Sequence, residues 1–300
     1  MEGKNDNWFR TMWRLFYPLL LHFGIMVLVS TVWSLIVYLI VIEKNWSADG
    51  ASVLEQLQEI GYQAMEGMLR SSYYIMIIAN LITLPFLHLF YRQDKKQREK
   101  VKPEIKYNRA SPMEYVVLAV VAFGACIGFN GLIAGIGLTQ ADKAYQEVSE
   151  LLYSASLPVQ LAGTALLTPV FEEYMFRRVM YNRLKDNNMS IGMAMITVSL
   201  VFGLYHGNIV QMLYAFPLSC MMVYTYEKYH SFLAPCLFHI VANGASVLIT
   251  GTDLFDFLFS GRIMMLLTGG VGLVVVYYGL RIIKDTVKLE PVDPASKVEL

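Results

Sequence analysis

The sequence predicts an all-α integral membrane protein, a bundle of about eight transmembrane helices with both termini in the cytoplasm. Three observations carry that reading. Of the 300 residues, 56% are hydrophobic and only 16% charged, with a mean hydropathy of +0.45, whereas a soluble domain carries about 25% charged residues. Apolar runs near the ~20 residues that cross a bilayer as helix recur along the whole chain. The segments between those runs alternate in charge.

The runs fall at 15–42, 73–91, 112–138, 157–182, 190–206, 209–226, 231–250 and 262–283, the fifth and sixth being short. The first is too long for a signal h-region and no small-residue cleavage site follows it, so no cleaved leader is expected. Lys4, Arg10 and Arg14 precede it. Segment 43–72 is mostly acidic, with Glu43, Asp49, Glu55, Glu59 and Glu66. Segment 92–110 is densely basic, from Arg92, Lys95 and Lys96 to Lys106 and Arg109. Segment 139–156 is acidic again, Arg178, Arg183 and Lys185 follow the fourth run, and Lys284 and Lys288 follow the eighth. The positive-inside rule then places both termini in the cytoplasm, which an even number of spans requires. Segment 51–70 mixes apolar and charged residues and reads either as an amphipathic helix on the outer surface or as a plain loop helix. The chain forms one polytopic membrane domain over 1–300, with 157–250 as its chemistry-bearing core and a polar, disordered cytoplasmic tail at 284–300.

Several features carry structure rather than chemistry. Gly124, Gly128, Gly131 and Gly135 give two GxxxG spacings in the third run, which close helix packing explains. Cys126, Cys220 and Cys236 sit in apolar runs at unrelated spacings and suggest no disulfide framework. His22 and His88 read as satisfied core histidines, and His230 as an interfacial loop residue. Lys plus Arg balance Asp plus Glu at 24 each, so no excess of positive charge points to nucleic acid.

The fourth run is the exception among the spans, because Glu172, Glu173 and Arg177 lie well inside it. A charge at the bilayer centre costs roughly 2.5–3.5 kcal/mol or more and needs a partner or a function. Glu173 and Arg177 stand i, i+4 with the acid first, the favourable order for a helical ion pair. Glu172 is rotated about 100° from Glu173 and faces another neighbour, so it is free to act as a base. Pro169, one turn earlier, removes a helix hydrogen bond and is expected to kink the helix. Phe202 and His206 on the fifth run, and His239 and Asn243 on the seventh, are i, i+4 pairs on single helix faces. A buried imidazole shares a proton with a carboxylate or ligates a metal, and an amide donates to a developing oxyanion. His206 falls late in its run, so a common site requires the 190–226 hairpin to be shallow or broken near Gly207 and Asn208.

The motifs Glu172-Glu173-x-x-x-Arg177, Phe202-x-x-x-His206 and His239-x-x-x-Asn243, in this order on three spans, resemble those of the CPBP family. This family comprises the CAAX proteases and the bacteriocin-processing or self-immunity (Abi) membrane proteins. The resemblance covers about 157–250. It implies an eight-helix intramembrane endopeptidase, with Glu172 activating water, His206 assisting, Glu173 and Arg177 positioning the site, and His239 and Asn243 stabilising the oxyanion or helping to bind a metal. Glu172, His206 and His239 would supply three ligands for a zinc ion with a fourth position open, and the same residues would equally run a metal-free mechanism. The expected partners are membrane lipid and a membrane-associated peptide substrate, with no nucleic acid, in a bacterial inner membrane. Two other readings of the same residues are a non-enzymatic bacteriocin-immunity protein and a proton-coupled transporter.

Overall fold

The computed structural model describes residues 2–46, 52–101, 103, 105–153, 155–252 and 254–292. Ten helices organise them: α1 (Glu2–Asn45), α2 (Val53–Val101), α3 (Pro112–Gly135), α4 (Lys143–Tyr153), α5 (Leu157–Asp186), α6 (Ile191–Tyr205), α7 (Ile209–Tyr229), α8 (Leu233–Thr250), α9 (Leu254–Leu258) and α10 (Arg262–Thr286). A helical turn at Leu138–Ala141 links α3 to α4. Each of the eight apolar runs becomes a helix. Their starts are written locally: Ser111 and Glu114 form a reciprocal capping box with Pro112 in the first turn of α3, and Ser190 and Asn208 cap α6 and α7 through side-chain oxygens.

Among the described residues six helices are long and apolar enough to cross a membrane, or seven if α4 and α5, bent by 112° at their junction, form one span. The expected eight is thus not confirmed at two helices. α5 carries the buried Glu and Arg residues, and α6 has 15 residues, a length of about 22 Å against a hydrocarbon core of about 30 Å. Conversely, α1 and α2 run on far beyond one bilayer crossing. Segment 53–70 is neither a surface helix nor a loop helix. It is the first part of α2, packed along α1, with Asn45 Nδ2 donating to Gln63 Oε1 at 2.9 Å.

The exterior is apolar. Leu20, Phe23, Leu28, Leu35 and Leu39 along α1, and Val271, Val274 and Tyr278 along α10, are exposed, as lipid contact requires. Inside, Phe171, Phe176, Met180, Val198, Phe202, Val223 and Phe238 form the main core. In lipid no hydrophobic force separates helix–helix from helix–lipid contact, so close backbone approach carries the packing. The α3–α10 pair shows this. A Cβ on Gly131 would lie 2.6 Å from the Met265 carbonyl oxygen, and one on Gly272 2.5 Å from the Gly128 nitrogen.

The basic ends of α1, α2 and α5 lock together. Asp94, 5% exposed, accepts from Arg14 at 2.9 Å and from Arg183 at 2.6 Å, and Arg183 also donates to the Tyr17 hydroxyl. The tail from 284 is ordered as far as Val292, against expectation. α10 continues to Thr286, Val287 is buried, and Tyr107 bridges Pro291 in antiparallel fashion, with Val292 N donating to Lys106 O at 2.8 Å. Positions 293–300 lie outside the described residues. His22 is buried against the Thr83 hydroxyl at 3.0 Å, as expected, whereas His88 is exposed and meets the Tyr174 hydroxyl instead.

Gly272→Leu should lower stability by about 1–3 kcal/mol through overpacking of the α3–α10 contact. Gly24→Ala, where an added Cβ meets nothing within 4 Å, should leave the thermal unfolding of the detergent-solubilised protein unchanged.

Candidate active site

α5 is the helix on which the site is built. Leu161–Leu167 and Tyr174–Tyr181 are π-helical, flanking an α-helical Thr168–Glu173. The hydrogen bond missing at Pro169 is absorbed in this widened register, with Thr168 N donating five residues back to Gly163 O. The expected break before the glutamates therefore takes the form of a register change. The Tyr73 hydroxyl of α2 supports it, accepting from Thr164 N at 3.0 Å and pairing with the Thr164 hydroxyl at 2.9 Å. That approach needs a glycine, because a Cβ on Gly163 would lie 2.4 Å from the Tyr73 oxygen.

Glu173 and Arg177 form the expected pair, both fully buried, with Arg177 Nη1 donating to Glu173 Oε1 at 2.8 Å. Two contacts went unforeseen. Arg177 Nη2 donates to the Ser219 hydroxyl of α7 at 2.9 Å, and the guanidinium lies 4.9 Å from the centre of the Phe202 ring. His239 Nδ1 lies 2.8 Å from Glu173 Oε1. A carboxylate only accepts, so Nδ1 carries the proton of this contact. His239 Nε2 is left facing Glu172 Oε2 at 3.5 Å. The imidazole thus stands between two carboxylates, one held by Arg177 and one facing a cavity.

His206 follows the last residue of α6. Gly207, at φ +75°, turns the chain in the left-handed region and Asn208 starts α7, so the hairpin breaks where a common site requires it. His206 Nδ1 lies 2.8 Å from the Phe202 carbonyl oxygen. A carbonyl also only accepts, which leaves Nε2 of the neutral ring as a proton acceptor. Asn243 donates one amide hydrogen to Thr164 O at 3.1 Å.

Glu172, His206, His239 and Asn243 line one cavity of about 230 Å³, together with Asn80, Thr168, Phe202, Tyr205, Gln211 and, from α4, Val148, Leu152 and Tyr153. The three motifs therefore converge on one space. Glu173 and Arg177 do not line it and sit behind it. Among the described residues no three His, Cys, Asp or Glu side chains come together in a metal-holding group. No step below is routed through a metal.

Asp142 was also missed. One of its oxygens accepts from Tyr145 N, in the first turn of α4, and the other from Val210 N, in the first turn of α7, each at 3.1 Å. One carboxylate ties the helix over the cavity to the turn that presents His206. These backbone donors, Val210 foremost, hold the Asp142 carboxyl below the usual carboxylate range.

Arg177→Met should destabilise the protein by about 3–5 kcal/mol, because it leaves Glu173 buried without its cation; denaturation in mild detergent measures it. The Asp142 contribution is present above the unfolded Asp value of about 4 and lost as pH falls through the lower folded value. The difference in melting temperature between wild type and Asp142→Asn should therefore be constant at neutral pH and shrink in acid below that value.

Residues 154–245 match the profile of the type II CAAX prenyl endopeptidase Rce1-like family. The membrane-embedded CAAX protease MroQ of Staphylococcus aureus is 23% identical over 206 residues, covering 65% of this chain and 81% of that protein. No solved structure matches. The matched segment begins beside the bend before α5 and ends just after Asn243, enclosing all three motifs, and the two likenesses together support an intramembrane protease of the CPBP kind.

Proposed function

We propose that the chain hydrolyses a peptide bond of a membrane-associated or lipidated peptide, with Glu172 as the base that activates water. The observation that carries this reading is the convergence of Glu172, His206, His239 and Asn243 on one cavity. A water between Glu172 and the acceptor nitrogen of His206 gives up a proton to Glu172, and the hydroxide adds to the scissile carbonyl carbon. The oxyanion that forms takes a hydrogen bond from the second amide hydrogen of Asn243, the first being held by Thr164. His239 Nε2 donates to it when the ring carries a proton on both nitrogens. As the C–N bond breaks, the proton on Glu172 passes to the departing amine nitrogen, and His206 relays the second proton of the water. Glu173 and Arg177 position His239 from behind. The bacterial source of the relative supports a place in a bacterial cell membrane.

Glu172→Gln and His206→Ala should each lower turnover of a cleaved peptide by about 10²–10⁴-fold, the usual range for a removed acid–base group, while melting like wild type. Wild-type turnover in both variants overturns the assignment. Activity that persists in a chelator supports the glutamate–histidine mechanism, and loss restored by zinc would assign a metal to the same residues.

A further inference from the structure

Resting on that reading of the site, we infer that the cavity is entered from the end of the bundle opposite the basic segments. The protease then acts on peptide segments presented at the extracytoplasmic face, not on cytoplasmic tails.

The lining residues stay clear of the basic end of each long helix that contributes them. α2 contributes Met76 and Asn80, well before its basic stretch begins at Arg92. α7 contributes nothing beyond Met222 and α8 nothing before Phe238, so the turn joining these two helices lies clear of the cavity. On α5 the lining stops at Glu172. The next turns of that helix, with Met175, Phe176, Val179 and Met180, are fully buried. Beyond them the Arg14–Asp94–Arg183 lock joins α1, α2 and α5. The site therefore has a packed floor toward the basic end.

The other end is covered by a single short helix. α4 turns Val148, Leu152 and Tyr153 toward the cavity and exposes Lys143, Glu147 and Glu150. α4 is tied to the helices around the cavity by the Asp142 clamp at its start and by the hydrogen bond between the Tyr153 and Ser246 hydroxyls at its end. A substrate reaching Glu172 must pass beside this helix. The positive-inside rule assigns the basic end to the cytoplasm, which makes the covered end extracytoplasmic. The exposed charge on α4 leaves that face hydrated, as suits a segment emerging from the membrane rather than one buried in it.

The test uses the full chain in cells, with Cys126, Cys220 and Cys236 replaced by serine and one cysteine introduced. A membrane-impermeant charged maleimide should label Val148→Cys in intact cells and Asn188→Cys, in the turn after α5, only after permeabilisation. The reverse pattern overturns the inference. A second arm keeps the wild-type cysteines, in case the serine variant folds poorly. A quenched fluorescent peptide mixture is applied to right-side-out and inside-out membrane vesicles, with Glu172→Gln vesicles as background. Cleavage should be at least tenfold faster in right-side-out vesicles, and faster cleavage in inside-out vesicles overturns the inference. Cleavage in neither counts against the endopeptidase reading, and the labelling pattern then decides the side of entry by itself.

Discussion

The buried Glu173–Arg177 pair is the interaction on which the rest of the site depends. Both side chains are fully excluded from solvent, and neither is tolerable there alone. The pair is also asymmetric. Glu173 spends the same oxygen on Arg177 and on His239, while Arg177 spends its second amino group on Ser219. One ion pair thus cross-links α5, α7 and α8 and fixes which nitrogen of His239 is turned to Glu172. The two adjacent glutamates divide the work by their rotation about the helix axis. One is held in the protein interior and the other is open to the cavity.

The remaining architecture keeps that arrangement at membrane depth. The short α6 places His206 beside Phe202 and the cavity, and Gly207 lets the chain reverse without lengthening the hairpin. α3 and α10 contact each other through glycines, forming a tight wall outside the helices that line the cavity. Irregular backbone is tolerated in a membrane only where it is buried in protein or lines a cavity. The π-helical stretches of α5 and the 206–208 turn meet that condition.

Much of this was legible in the sequence. The apolar runs located the helices, the GxxxG spacing marked α3 as a close-packing helix without naming α10, and three polar pairs named the residues that line or support the cavity. Ser219, Tyr73 and Asp142 were not legible. A guanidinium offers five donors and one carboxylate cannot satisfy them, so a second partner for Arg177 was to be expected, but choosing Ser219 over the other hydroxyls on apolar helices requires the packing. Asp142 looked like one loop acid among several, and only the meeting of α4 with the start of α7 gives it two helices to cap. The count of eight spans is not confirmed where length and charge compete. α5 is long enough but carries the site's charges, and α6 is apolar but only about four turns long.

The widened register of α5 has a consequence for how this helix tolerates change. Each residue added to or removed from a helix rotates everything beyond it by about 100°. The stretch Leu161–Leu167 holds Thr164, where Tyr73 of α2 docks, on one side of Pro169 in phase with Glu172 on the other. A one-residue deletion there that leaves the widened register in place alters none of the motif spacings. Yet the two halves of α5 would turn relative to each other, and Glu172 would swing from the cavity while Glu173 swung away from His239. The angular phase of this helix, as much as the identity of its residues, is what the site inherits from its sequence.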